Sequence, residues 1–168
     1  LQDTLNDLME TLRIKKEALT ERHVLSFSET LTKVKNDLAG EVIRSNADIT
    51  SDFSNSPEIL YSKTYLESIF LNLLSNALKY SSPKRQPKIH FETKLHLGKV
   101  QLIVSDNGLG IDLEKHGHKL FGLRKTFHAH KEARGVGLFL TKTQVEAMGG
   151  KIWDTGAEGK GTTFYIQF

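Results

Sequence analysis

A short segment near the middle of the chain, residues 106–112 (Asp-Asn-Gly-Leu-Gly-Ile-Asp), combines carboxylates with two glycines. It follows an apolar run at residues 100–104. The glycines allow positive φ angles and a close approach of the backbone to a ligand. The Asp106 carboxylate can accept a hydrogen bond from a ligand's amino group. Asp-Asn-Gly between apolar runs is also typical of a hairpin turn, so this segment alone leaves a ligand site and a turn as alternatives.

A second candidate site lies in the most regular apolar pattern of the chain. Residues 66–78 predict a helix that begins at residue 62 or 63 and ends near Pro83. Asn72 and Asn76 are one turn apart and share a face of this helix, and Lys79 follows on the same side. Because asparagine is a mediocre helix former, the pair indicates a polar ligand. The alternative is a pair of solvated or helix-packing amides.

Two later segments are glycine-rich and invite comparison with phosphate-binding motifs. Residues 135–137 (Gly-Val-Gly) begin a predicted helix, and the N-terminus of a helix can bind phosphate through its amides and dipole. They are not a dinucleotide fingerprint, because Leu140 occupies the third glycine position and no strand leads directly into them. Residues 159–162 (Gly-Lys-Gly-Thr) lack the spacing and order of a P-loop. Both common nucleotide-binding folds are therefore disfavoured.

The hydrophobic pattern predicts a mixture of helices and mostly antiparallel strands. Helices packed on one face of such a sheet form an α+β, two-layer α/β sandwich, here preceded by a short helix. The predicted strands are residues 24–27, 47–53, 59–61, 89–95, 100–104, 151–155 and 162–168. The predicted helices are residues 31–42, 62–81 and 135–148. The first helix has Ser28 as its N-cap and Asn46 as its stop, and the last has glycines 149 and 150 as its C-cap.

Composition excludes several function classes. The chain of 168 residues predicts one domain with an appendage. It has no cysteine, which excludes disulfides and cysteine-ligated metals. The net charge is +3 with dispersed basic residues, so we expect no nucleic-acid partner. No apolar run has the length of a membrane span, and the start at Leu1 suggests a piece of a longer protein.

The first residues carry a leucine stripe at Leu1, Leu5, Leu8 and Leu12. This spacing predicts an amphipathic helix with a coiled-coil-like seam that needs a partner helix. A terminal helix packed on its own domain is the alternative.

Taken in order, the polar and glycine segments resemble the catalytic, ATP-binding domain of two-component sensor histidine kinases, in the superfamily shared with gyrase-type ATPases. The resemblance covers roughly residues 20–168 and implies the Bergerat-type fold. All the boxes in order make a specific signal, although each box alone is weak. Residues 72–77, with Lys79 and Tyr80, resemble the family's N box, and residues 106–111 resemble its first glycine box. Phe121 and residues 125–127 resemble the F box. Residues 135–138 resemble the second glycine box, and residues 159–163 resemble the third.

The resemblance implies roles for individual residues. Asp106 would accept a hydrogen bond from the adenine amino group. Asn76, with Asn72, would hold Mg²⁺ between the phosphates, because amide oxygens suit that hard cation. Lys79 and Lys125 would neutralise phosphate charge, which makes Asn76, Lys79 and Lys125 the catalytic set. Residues 121–134 would form a lid. The nucleotide-binding set is Asn72, Asn76, Lys79, Tyr80, Asp106, Gly108, Gly110, Ile111, Phe121, Lys125, Gly135, Val136, Gly137, Leu138, Thr162 and Thr163.

The sequence departs from the family pattern in two places. Phe139 occupies the last glycine position of the second box. None of the seven histidines has the setting of a phosphoacceptor, which is followed by an acidic residue: Val24 follows His23, and Ala129 follows His128. Residues 1–19 resemble the end of the second helix of the family's dimerisation hairpin, and residues 20–168 the catalytic domain. The acceptor helix would then lie upstream.

By this resemblance, the domain transfers the γ-phosphate of Mg-ATP to a histidine outside these residues. The implied partners are ATP, a histidine-bearing helical hairpin of a homodimeric parent kinase and a response regulator receiver domain. The implied location is cytoplasmic, with a parent that is either free or membrane-anchored.

Two other functions compete with histidine phosphorylation. ATP hydrolases of the same superfamily place a glutamate on the N-box helix to activate water, but the matching residue here is Asn72. A neutral amide cannot accept a proton as a carboxylate does, and Glu67 is off that spacing. A non-catalytic nucleotide-binding or protein-interaction module is the second alternative, and failure to bind ATP would favour it.

Overall fold

The computed structural model describes residues 22–110, 121 and 137–168. The leucine stripe of residues 1–12 and all of the expected lid except Phe121 lie outside the described residues. Within the described residues the order is β1 (His23–Ser26), α1 (Phe27–Asp37), α2 (Ala39–Ser45), β2 (Asp48–Asp52), β3 (Glu58–Tyr61), α3 (Lys63–Lys79), β4 (Lys88–His96), β5 (Lys99–Asp106), α4 (Gly137–Ala147), β6 (Lys151–Ala157) and β7 (Gly161–Gln167).

The main sheet has five strands in the order β2-β4-β5-β7-β6. β2 runs parallel to β4, and the other neighbours are antiparallel. β1 and β3 form a separate antiparallel pair. Since β5 has β4 on one side and β7 on the other, no strand can pair with it across a turn at residues 106–112. The hairpin interpretation of that segment is therefore excluded.

The hydrophobic core lies between one face of this sheet and the helices. Helix α3 follows the N-cap Ser62 and lies at the centre of the helical layer, in contact with α1 and α4. Its Phe70 ring stacks on Phe91 of β4 with centroids 5.3 Å apart. Burying a side chain of this size contributes about 1.5–3 kcal/mol. The buried residues of α3 are Tyr65, Leu66, Ile69, Phe70, Leu73, Leu74, Ala77 and Leu78. This arrangement confirms the two-layer α/β sandwich.

The predicted boundaries were wrong in the first helical region. Ser26, not Ser28, is the N-cap, and its Oγ accepts from the Glu29 N–H at 3.2 Å. The helix starts earlier because Phe27 is fully buried in the core. It also stops at Leu38 and restarts as α2, where Gly40 disfavours a continuous helix.

The end of α2 agrees with expectation. Asn46 ends the helix in the left-handed conformation at φ 50°, as the sequence predicts. Among the described helices, none is both long and apolar enough to cross a membrane.

Candidate functional site

The Asp106 side chain is held in a fixed position at the end of β5. It lies on the helix side of the sheet, because it is in phase with the core residues Leu102 and Val104 of that strand. Its Oδ1 accepts from the backbone N–H of Gly108 at 2.8 Å and of Thr162 at 3.3 Å. Its Oδ2 has no hydrogen-bond partner in the part of the chain that the structure describes. One oxygen thus fixes the carboxylate, and the other can accept from a ligand.

The charge of Asp106 is modified by its surroundings. Burial raises the pKa of this carboxyl group, whereas the N–H groups of Gly108 and Thr162 and the nearby Arg85 guanidinium lower it. The opposing effects follow from the cost of burying a charge and from the hydrogen bonds that favour it. An acceptor-only carboxylate in such a place selects a ligand that presents a donor.

Two glycine segments pack backbone against backbone beside Asp106. We call residues 107–110 the first glycine loop and residues 158–160 the β6–β7 turn. Gly110 has φ +69°, and a Cβ atom there would collide with the carbonyl oxygen of Ala157. Gly161 has φ +104°, and a Cβ atom there would collide with the carbonyl oxygen of Asp106. Only glycine fits such a close approach with positive φ.

The last turns of α3 connect the other predicted segments. The Tyr80 carbonyl accepts from the N–H of Leu109, at 2.9 Å, in the first glycine loop. Asn76 lies one turn earlier, and Asn72 lies one turn before that. The Asn72 amide reaches Gly137, where α4 begins. The structure therefore brings the N box, the first glycine box and the start of α4 together along one helix.

The two asparagines differ in their contacts. The Nδ2 of Asn72 donates to the Gly137 carbonyl at 3.3 Å and to the Thr141 hydroxyl at 3.2 Å. These bonds join α3 to α4 and leave only Oδ1 for other contacts. Asn76 is half-buried, and within the described residues no group hydrogen-bonds to its side-chain amide. Of the two, Asn76 has the amide better suited to a ligand.

Other predicted residues surround this helix. Lys79 is half-buried, and burial raises the pKa of the half-buried Tyr80 hydroxyl. The Phe121 ring meets Phe164 of β7 edge-on at 6.4 Å. Leu138 packs against the core from α4. Outside the described residues lie Ile111, Lys125, Gly135 and Val136.

The two threonines of the third glycine box lie on opposite faces of the sheet. Thr162 is buried on the side of Asp106 and donates its N–H to that carboxylate. Thr163 pairs with Ser105, and its hydroxyl lies 3.2 Å from the Ser105 hydroxyl on the outer face. The Thr163 side chain is therefore not brought together with Asp106.

Sequence reasoning missed Arg85, which lies in the connection between α3 and β4. Its Nε donates to the Asn107 carbonyl at 2.6 Å, and its Nη2 donates to the carbonyls of Gly108 and Gly159 at 2.7 Å each. The residue is exposed and belongs to a polar loop, so no hydrophobic pattern or motif marked it.

Asp154 of β6 was also missed. It lies opposite Phe164 on the helix-facing side, and its Oδ2 is buried with no hydrogen-bond partner among the described residues. Burial raises the pKa of this carboxyl group to about 6. The available signal was an acidic residue in phase with Ile152, at an inward position of the strand.

Comparison with known proteins identifies the family. Residues 62–168, which contain every described site residue named above, match the model of the histidine kinase-, DNA gyrase B- and HSP90-like ATPases. The chain belongs to this family.

Similar proteins narrow the type of domain. The chain is 30% identical over 137 residues to the methanogenesis regulatory histidine kinase FilI of Methanothrix harundinacea, covering 82% of this chain and 15% of that protein. It is 28% identical over 168 residues to cyanobacterial phytochrome A of Nostoc sp., covering 99% and 21%. The catalytic domain of histidine kinase ThkA has the same fold, with a TM-score of 0.74, 22% identity, and coverage of 89% and 95%. The chain thus spans about a fifth or less of these curated relatives.

This histidine kinase-like ATPase domain is an ATP-binding catalytic domain of the sensor histidine kinase type. Glu67, the carboxylate on the N-box helix, faces away from Asn72 and forms ion pairs with Lys33 at 3.4 Å and Lys63 at 4.0 Å. It is therefore not placed to activate water beside Asn72. The described groups beside Asn72 and Asn76 can position a ligand and neutralise its charge.

Proposed function

We propose that this domain transfers the γ-phosphoryl group of Mg-ATP to a histidine on a helical hairpin of its parent kinase. The single observation that carries the proposal is the Asp106 carboxylate at the end of β5, fixed through Oδ1 with Oδ2 left as an acceptor. The loop that follows it bonds to the end of α3, the helix that presents Asn76. ATP then lies with adenine at Asp106 and its phosphates toward Asn76 and the start of α4.

The adenine end uses groups that surround Asp106. Oδ2 accepts from the adenine amino group, and the buried Thr162 lines the same side of the sheet. Gly108 and Gly110 allow the backbone to come close to the base. Because the carboxylate is already held by two N–H groups, little ordering is needed when the nucleotide binds.

The phosphate end is suited to Mg²⁺. The Asn76 amide, which has no hydrogen-bond partner among the described residues, can supply an oxygen ligand for this cation. Asn72 retains only its Oδ1 for the same purpose. When bound, the metal supplies positive charge to the phosphate oxygens. Lys79 adds positive charge from α3, and Lys125 is assigned the same role from its sequence alone. No side chain here needs to activate a nucleophile, since the histidine ring attacks the γ-phosphorus and ADP leaves.

The partners follow from this reaction. The phosphorylated histidine passes its phosphoryl group to a response regulator receiver domain, and the parent kinase acts as a homodimer in the cytoplasm. By their sequence resemblance, residues 1–19 are assigned to the end of the hairpin and residues 20–168 to the catalytic domain.

A phosphotransfer assay tests the proposal. The chain is incubated with ATP labelled at the γ-phosphate, alone and with a separate hairpin fragment of the parent kinase. We expect acid-labile, alkali-stable label on the hairpin and none on this chain, because none of its seven histidines has the acceptor's setting. A hairpin with its acceptor histidine replaced by glutamine is the control. Label on this chain alone, or phosphate release without label on the hairpin, would contradict the proposal.

A further inference from the structure

Three backbone carbonyls from two separate segments converge on one guanidinium. Arg85 bonds Asn107 and Gly108 in the first glycine loop and Gly159 in the β6–β7 turn. A direct backbone hydrogen bond, from the N–H of Gly159 to the carbonyl of Leu109 at 2.6 Å, also joins these two segments. Arg85 contacts both segments, whereas the bonds of Leu109 to Tyr80 and of Asn107 to Gln86 join the α3–β4 connection to the first glycine loop alone.

The bonded carbonyls adjoin the groups that fix Asp106. Gly108 offers its carbonyl to Arg85 and its N–H to the Asp106 carboxylate. Gly159 lies at the turn that leads into Thr162, the second donor to that carboxylate. A shift of either segment would therefore move an N–H group that donates to the Asp106 carboxylate.

We propose that Arg85 is a positioning residue for the nucleotide. It holds the first glycine loop and the β6–β7 turn at the separation at which Asp106 and Thr162 receive adenine. This inference rests on the proposed role of Asp106 in binding adenine.

Arginine has the chemistry that this position requires. Its planar fork presents several N–H donors in fixed directions, whereas a lysine ammonium is a point charge on a flexible stem. Lysine at position 85 therefore keeps the charge but cannot bond two segments in the same geometry. Arg85 is exposed, and its charge also lowers the pKa of Asp106, so the test has to separate its hydrogen bonds from its charge.

The neighbouring Lys84 provides a matched control. It is exposed in the same connection, and no hydrogen bond or ion pair of its side chain occurs within the described residues. Lys84→Ala removes the same charge from the same loop and leaves the three carbonyl contacts intact. Any effect of charge alone on nucleotide binding is then measured separately.

The test measures ADP affinity by calorimetry for the 168-residue chain and for Arg85→Ala, Arg85→Lys and Lys84→Ala. The temperature is well below the unfolding midpoint of each variant. We expect Arg85→Ala and Arg85→Lys to weaken ADP binding by about tenfold, the effect of roughly one charge-assisted bond, and Lys84→Ala to change it less than twofold. Methylguanidinium, compared with sodium chloride at the same ionic strength, should restore part of the affinity of Arg85→Ala.

Each outcome decides the inference. Unchanged affinity in a folded Arg85→Ala overturns it, as does an equal loss in Lys84→Ala. If Arg85→Ala does not fold, Arg85→Lys decides: parent-like affinity overturns the inference, and a tenfold loss supports it. Asp106→Asn is measured in parallel. If that variant binds ADP normally, the adenine site itself is wrong, and if only the Arg85 variants bind normally, the positioning role alone is wrong.

Discussion

Replacing Asp106 by asparagine changes the adenine contact and spares the contacts that hold the side chain. Asparagine keeps an oxygen that can accept from the N–H groups of Gly108 and Thr162, the two donors to Oδ1. The group that replaces Oδ2 is then an NH₂, which donates. It would face the adenine amino group, which also donates, so the one acceptor left for the ligand is lost.

The expected magnitude follows from this geometry. Losing a hydrogen bond to a charged group costs about 1.5–3 kcal/mol, or about 10- to 150-fold in affinity. The free energy of unfolding should change little. Burial raises the pKa of Asp106, which means that folding does not favour its charged form, so removing the charge removes no stabilising interaction of that charge. The perturbation should appear in nucleotide binding and not in the unfolding of the nucleotide-free domain.

Calorimetric titration with ADP, together with thermal unfolding without nucleotide, measures both quantities. Asp48→Asn is the control, since Asp48 is exposed at the start of β2, at the far edge of the sheet. ADP affinity of folded Asp106→Asn within twofold of the parent would refute the assignment. So would an equal loss in Asp48→Asn.

Three further changes test other parts of the structure. Asn76→Ala should remove most of the Mg²⁺ enhancement of ATP binding and leave metal-free binding unchanged, with the exposed Asn36→Ala as control; equal enhancement in both would contradict the metal role. Asp154 has a folded pKa of about 6, above its ordinary 3.8, so the folded state binds the proton more tightly and the free energy of unfolding should fall as pH rises through the window from about 4 to about 6. The full shift corresponds to about 3 kcal/mol, which solvent screening of this half-buried group reduces to about 1 kcal/mol, and Asp154→Asn should abolish this pH dependence in urea unfolding. Gly110→Ala should destabilise the domain by about 1–3 kcal/mol more than Gly98→Ala in the same assay, since both have positive φ but only Gly110 lacks space for a Cβ; equal losses would contradict the close packing.

Patterns that depend on local spacing predicted much of the fold and the site. Asn72 and Asn76 share a face of α3 because helical spacing alone determines it. Asp106 ends a strand because an alternating apolar run precedes it. The strand patterns predicted the individual strands. Their division into a sheet of five and a separate pair, and the strand order in the sheet, depend on long-range pairing that no local signal gives.

What the sequence did not predict depends on register and on backbone contacts. Thr162 and Thr163 carry the same side chain, and only the pairing of β7 with β5 decides which one faces Asp106. Arg85 binds backbone carbonyls, which every residue has, so its partners leave no mark in the sequence. Ser26 and Ser28 are equally good N-caps by type, and the burial of Phe27 decides between them.

Calorimetric titration of the chain with a non-hydrolysable ATP analogue and its guanine counterpart, each with and without Mg²⁺, tests the central claim most directly. Guanine carries a carbonyl where adenine carries the amino group, so it would place an acceptor against the Asp106 carboxylate. We predict that the adenine analogue binds, that Mg²⁺ tightens its binding, and that the guanine analogue binds at least about tenfold more weakly, the effect of about 1.4 kcal/mol. Equal affinity for the two bases, or no binding of the adenine analogue, would contradict the account.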